Sequence, residues 1–394
     1  MKKLISKIMA LALLSVGLFT ASCSSDDDKG GNPDNGDFVV VRENLKGEIN
    51  NGNVVLESGT YKLTGKLLVN NGAKLTIKPG VRIEATDVST SSPEIRYIAV
   101  AQGGQIFVEG TATNPVVMTA DTNLPGSWGG VVLCGKAPIN KAEFASAEVS
   151  DLQYGGNDVN DNSGSIKYLR IEYSGYAYNA DKEFNGLSMF GVGQGTTIEY
   201  VQIHEGSDDG FEWFGGSVDA RYLVVTNFNT ENVADDLFDW TEGWNGTGEN
   251  WFGIRTNASN RGIEADNNSS THTLQPISNP TINNLTLVGN GIEGGGENQA
   301  LKLRVGTQGQ FDNVVLKNWG TGFDIEHDAT ISYVGNELKA ISVKFENVEV
   351  KSKGKNSAGE TVTVNGVYTE DDGATGAGNG TAKPTWANGW TVGL

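Results

Sequence analysis

Ser207–Gly216 reads "SDDGFEWFGG" and Ala234–Gly243 reads "ADDLFDWTEG". Both place an Asp pair ahead of an aromatic residue, an acid and a Trp. Matched positions recur after 27 residues, Asp208 with Asp235 and Glu212 with Asp239. Such a repeat is too short for a domain, but it fits one turn of a coiled chain in which equivalent residues stack above one another.

The remainder of the chain extends the repeat. A motif of the form apolar-x-x-apolar-x-apolar appears as "IKYLRI" at Ile166, "IEYVQI" at Ile198, "ARYLVV" at Ala220, "INNLTL" at Ile282, "FDNVVL" at Phe311 and "FENVEV" at Phe345. The intervals are 32, 22, 62, 29 and 34 residues, and "NWFGIR" at Asn250 divides the long one. A second strand follows most of these: "GLSMFG" at Gly186, "GFEWFG" at Gly210, "LFDWTE" at Leu237, "GIEADN" at Gly262, "ALKLRV" at Ala300 and "GFDIEH" at Gly322. Helical periodicity is nearly absent, and β-branched runs broken by Gly, Asn and Asp dominate. Two strand families alternating at this period predict an all-β solenoid, a right-handed parallel β-helix.

Alternation within the second strand assigns its faces. Phe211, Phe238, Ile263, Leu301 and Phe323 form one inward column, and Trp213, Trp240, Ala265, Leu303 and Ile325 the next. Glu212, Asp239, Glu264, Lys302 and Asp324 point outward, with Phe214, Thr241, Asp266, Arg304 and Glu326 one step beyond. The acids are expected on the surface.

The N-terminus supplies an address. "MKKLISKIMALALLSVGLFTASC" has a basic start, an apolar run from Ile8 to Phe19 and small residues before Cys23. That run is too short to span a bilayer and reads as a secretory leader over residues 1–22. The Thr20-Ala21-Ser22-Cys23 junction resembles a bacterial lipobox, which implies lipidation at Cys23 and an outer-membrane anchor facing the cell exterior. Residues 23–36, "CSSDDDKGGNPDNG", read as an acidic, disordered tether, and 37–394 as the β-helix domain. Cys134 is then the one remaining thiol, so no internal disulfide is expected.

The chain carries 29 basic and 48 acidic residues; without Lys2, Lys3 and Lys7 the balance is 26 to 48, a net charge of −22. Such a surface repels phosphate backbones, so nucleic acid is excluded as a partner. The 53 glycines against 9 prolines predict many tight turns between short strands.

"GAKLTIKPGVRIEA", "YIAVAQGGQIFVEGTATNPVVMTA", "GSWGGVVLCGKAPIN", "IKYLRIEYSG" and "GLSMFGVGQGT", together with the two acidic decapeptides, resemble a family of exported Bacteroidetes lipoproteins. The resemblance covers nearly all of the mature chain. It implies a pectin-lyase-like β-helix and an exported location, and little about chemistry.

Three functional classes fit these residues. Asp208, Asp209, Asp235 and Asp236 precede the second strand of adjacent coils, and stacked strands lie ~4.8 Å apart. Hard oxygens at that spacing suit Ca2+; the competing reading is that the Asp side chains cap turn amides. In a glycan-binding protein, Trp244 and Trp251 of "DWTEGWNGTGENWFG" would offer flat faces from a loop, with Glu212 and Asp266 accepting from hydroxyls. Alternatively, both rings pin that loop to the coil beneath. In an enzyme, the layout resembles β-helical polysaccharide lyases, which join carboxylate-bound Ca2+ to a Lys or Arg base; Lys302, Arg304, Asp239 and Glu264 are the catalytic candidates. A glycoside hydrolase would use two of the carboxylates. A protein-interaction role for the flat faces is the third class. His204, His272 and His327 lie far apart in sequence without ligand spacing, so no zinc site is expected.

Overall fold

The computed structural model describes residues 38–394 apart from 90–92, 180–181, 228–233, 257–259 and 294–296. The leader, Cys23 and the tether lie outside the described residues. The described chain is a parallel β-helix: 23 strands are hydrogen-bonded into one continuous ladder, and the described helices are one α-turn at Asp328–Ser332 and one 3-10 turn at Thr385–Ala387.

Each full coil has three faces. The short strands stack in register as one face, from Val131–Cys134 through Leu187–Phe190, Phe211–Phe214, Phe238–Thr241 and Ile263–Ala265 to Gln299–Leu303. The long strands, such as Thr197–His204, supply the other two, and at the corner between those faces the chain bends at one residue held in the left-handed region. Those residues are Tyr168, Tyr200, Tyr222, Asn250, Asn284, Asn313 and Ser342, with φ between 50° and 60°. Asn tolerates that conformation, and stacking of the Tyr rings offsets their strain. The coils therefore turn a corner without a glycine there.

The two inward columns fall where alternation predicts. Phe211 is opposite Phe238, then Ile263, Leu301 and Phe323; Trp213 is opposite Trp240, then Ala265, Leu303 and Ile325. All ten are fully buried. The rings stack along the axis, with Phe211 and Phe238 at 5.8 Å and Trp213 and Trp251 at 5.0 Å, both within 8° of parallel.

Two motif assignments shift. The coil after Ala220 is in register with Gly248, two residues ahead of the expected Asn250. A Cβ at Gly248 would stand 2.6 Å from the Trp251 ring, so glycine replaces the apolar residue that the motif requires. In the last coil, Phe311 is opposite Ala340 rather than Phe345. No complete coil packs beyond this one, so alternation is a weaker guide to register there.

Trp244 and Trp251 correct the sequence reading outright. Trp251 lies within the strand Thr247–Arg255, and both rings are fully buried. Their indole N–H groups donate to carbonyls of the preceding coil, Trp244 to Val218 at 3.1 Å and Trp251 to Ala220 at 2.9 Å. Buried indoles with satisfied donors are core, not a ligand platform.

Candidate functional site

The outward lane of the short-strand face runs Leu68, Ala99, Val132, Ser188, Glu212, Asp239, Glu264, Lys302, Asp324 and Lys353. Its apolar start has a cause. Chain on either side of the coil strand Gly164–Glu172 lies over the outside of this face and carries two small two-stranded ladders, Ala145–Ser146 with Gln153–Tyr154 and Ala177–Asn179 with Lys182–Glu183. Tyr154 and Phe184 pack there against Leu68, Val132, Phe190 and Phe214 as a second apolar cluster. The acids begin where this roof ends. They do point away from the core, but they are not on an open surface: Asp208, Asp209 and Asp236 are buried, and Glu212, Asp235 and Asp239 are partly buried.

The duplicated Asp pair has two roles. Asp209 Oδ1 accepts from the Asp236 N–H at 2.8 Å, and Asp236 Oδ1 accepts from the Arg261 N–H at 2.5 Å. Each second aspartate thus caps the turn of the next coil rather than its own, the turn chemistry of Asp displaced by one rung. The third coil ends the run: Asn260 and Arg261 occupy the places of the Asp pair. Asn260 donates to the Asp235 carboxylate, and Arg261 pairs with Asp236 at 3.2 Å, with Glu264 at 3.1 Å and with Glu297. Arg304 then holds Glu264 and Asp266, both at 2.8 Å. Lys302 pairs with Glu297 at 3.1 Å and Glu326 at 3.7 Å.

This arrangement divides the acids. Asp235, Asp236, Glu264 and Asp266 have partners; Asp208, Asp209, Glu212 and Asp239 form no ion pair among the described residues. Asn185 Nδ2 donates to Glu212 at 2.5 Å, a neutral contact that leaves the charge. Carboxylate oxygens of Asp209, Glu212 and Asp239 lie within 4.8 Å of one another, as do those of Asp208, Asp209 and Asp235. Burial first, and neighbouring carboxylates second, push Asp208, Asp209, Glu212 and Asp239 well above the usual carboxylate range. For Arg304, by contrast, Asp266 and Glu264 outweigh burial and raise its pKa, which keeps it cationic.

Several residues here escape sequence reasoning. Asn185, Glu148, Tyr154 and Glu242 come from the roof or the turns, where no periodicity marks them; Tyr154 donates to Glu242 at 2.7 Å, and Lys141 pairs with Glu242 at 3.0 Å. Arg261 was legible, because "SNRG" aligns with "SDDG" and "ADDL" ahead of equivalent strands. The separation of the histidines is also corrected. His272 and His327 rings meet with centroids 4.8 Å apart, brought together by a loop and a turn of different coils.

The architecture defines a class: a β-solenoid with a cluster of buried and partly buried carboxylates on one partly covered face. The chain matches the model of the pectate-lyase-like β-helix domain over residues 47–391 and belongs to that family. No curated protein and no solved structure matches it.

Proposed function

We propose that this chain is a surface-anchored, glycan-binding lipoprotein that holds Ca2+ between the carboxylates of Asp209, Glu212 and Asp239. One observation carries the reading: three carboxylates converge under the roof edge while the cations nearby are spent on other acids. The donor set fits, since it is all oxygen and in excess of its protein partners. Asp209 also belongs to a second group with Asp208 and Asp235, but there Asp235 is held by Asn260, and Asp236 beside it by Arg261. Bound there, a divalent cation would offset the charge and offer coordination to sugar hydroxyls or carboxylates. The family supports a carbohydrate ligand, and the leader with Cys23 supports display on the outer membrane.

The rival enzyme reading needs Lys302 or Arg304 to take a proton. Lys302 is engaged by Glu297 and Glu326, and Arg304 is kept cationic by Asp266 and Glu264, so neither nitrogen is free to take a proton. The elevated carboxyls are better suited to donate a proton, as in a glycoside hydrolase.

Calorimetry with Ca2+ on the mature protein tests the cluster. Binding should raise the melting temperature, and Asp209→Asn combined with Asp239→Asn should remove both heat and shift. Asp235→Asn should leave both in place; if it abolishes binding instead, the cation sits elsewhere. An oligosaccharide panel followed for product release separates binding from turnover. Cys23→Ala should move the protein from the membrane to the soluble fraction, and unchanged fractionation would refute the anchor.

A further inference from the structure

The opposite end of the same short strands carries a second feature, distinct from the acids. Ala220, Gly248, Ile282 and Phe311 are equivalent positions of four successive coils. Three residues before each stand Ser217, Asn245, Asn279 and Gln308. Turn hydrogen bonds keep them in step: Asn245 N–H donates to Gly216 O at 3.0 Å, Asn279 N–H to Trp244 O at 2.9 Å and Gln308 N–H to Ser278 O at 2.8 Å. One hydroxyl and three amides therefore form a ladder with the rung spacing of the helix, ~4.8 Å.

This ladder lines a cavity of about 390 Å3. Pro276 and Ile277 make one wall and Pro138 and Val159 another, and no ionisable side chain is among the lining residues. The Pro276 wall is preformed. Asn267, fully buried, donates to His272 O at 2.9 Å and Leu274 O at 3.1 Å, and accepts from Asn140 at 2.7 Å and from Ser278 N–H at 2.9 Å. Asn245 Nδ2 adds a bond to Ile277 O at 3.0 Å. The loop is thus fixed to the coil before any ligand arrives.

We infer that this corner cavity is a binding site for a neutral sugar. Ser217 Oγ donates to Val159 O at 2.8 Å, and Asn245 Nδ2 to Gly243 O at 2.6 Å as well as to Ile277 O. The amides of Asn279 and Gln308 are left to donate and accept as vicinal hydroxyls require, while proline and isoleucine surfaces suit the C–H face of a pyranose. A uronate would find no cation in the lining and would meet the field of a chain with a net charge of −22 after leader removal. The inference extends the glycan reading to a separate site and stands without the acidic cluster.

The test is calorimetric titration of the mature protein with neutral tetrasaccharides of glucose, xylose, mannose and galactose, beside an oligogalacturonate. At least one neutral sugar should bind at millimolar concentration or below. Asn279→Ala and Gln308→Ala should each weaken it about tenfold, the loss of roughly one hydrogen bond. Ser217→Trp should fill the cavity and abolish binding, with the melting temperature of the alanine variants unchanged. Asp209→Asn with Asp239→Asn should leave this affinity as it is, so failure of the cluster and failure of the cavity are told apart. The inference is overturned if no neutral sugar binds, if the uronate binds more tightly to this cavity, or if Asn279→Ala with Gln308→Ala changes nothing.

Discussion

Two corners of this β-helix stack like upon like, with opposite results. At the bend of the long strands, Tyr168, Tyr200 and Tyr222 lie ring on ring at 4.3 Å, 8° and 2° from parallel. The same corner continues as amides, with Asn284 donating to Asn250 at 3.1 Å and Asn313 to Asn284 at 2.7 Å. At the corner before the short strands, Asp208 and Asp209 stack on Asp235 and Asp236. In-register stacking multiplies whatever a residue does to its own copy. An amide has both donor and acceptor, and a ring has a face, so each is satisfied by repetition. A carboxylate accepts only, so repetition leaves charge that something else must offset. Of these four acids Asp236 meets a cation, Arg261, and Asp235 a neutral donor, Asn260, while Asp208 and Asp209 form no ion pair among the described residues.

The self-satisfied corner is also covered. The C-terminal segment runs back over it: Thr375 and Gly376 N–H groups donate to Asn313 Oδ1 at 2.8 and 3.0 Å, and Trp390 meets Tyr168 and Tyr200 edge-on near 6 Å. Gln202 closes the segment with a reciprocal pair of bonds to the Val392 backbone, at 2.7 and 2.9 Å.

The largest expected effect comes from the aromatic interior that both corners enclose. Trp251→Ala should cost about 3–5 kcal/mol in denaturant unfolding, the range for buried Trp truncation. A loss below 1 kcal/mol would return the ring to the surface and revive it as a ligand platform. Next is the amide corner. Asn313→Ala removes the bond to Asn284, frees two N–H groups of the C-terminal segment and puts Ala at a φ of 56°, so about 2–3 kcal/mol should be lost. Asn313→Gly should recover the part due to backbone strain; no recovery would mean the ladder alone is responsible.

The smallest effect has the opposite sign. Asp239→Asn should stabilise the cation-free protein at pH 8, on the order of 1 kcal/mol, because it removes a charge the fold disfavours. Asp209, Glu212 and Asp239 have folded pKa values above their unfolded ones. Between those values the folded state holds more protons, so stability falls as pH rises through the elevated folded values and is regained on acidification toward the ordinary carboxylate range. Thermal melts in chelator should therefore rise from pH 8 toward pH 5, and Ca2+ should flatten the slope. A slope of the other sign would show that these carboxylates are compensated after all.

Much of the fold was legible, because a coil obeys a local rule. Alternation and the 27-residue offset place Phe211 on Phe238 and Trp213 on Trp240 without any tertiary information, and adjacency along the lane assembles Glu212, Asp239 and Glu264. The bend was partly legible too, in the Tyr and Asn that recur at the third position of "IKYLRI", "IEYVQI", "INNLTL" and "FDNVVL".

What the sequence alone determined is the order of residues along the helix axis: which side chains share a column, and that acids repeat on adjacent rungs. Only the tertiary structure decided how wet those columns are. The roof over the short-strand face and the loop that forms a cavity wall both come from insertions between strands. An insertion has no period, and its position depends on where it packs. The same Asp on the same rung is a solvated turn residue in the open and a desolvated carboxyl under a roof, and burial rather than spacing makes that difference.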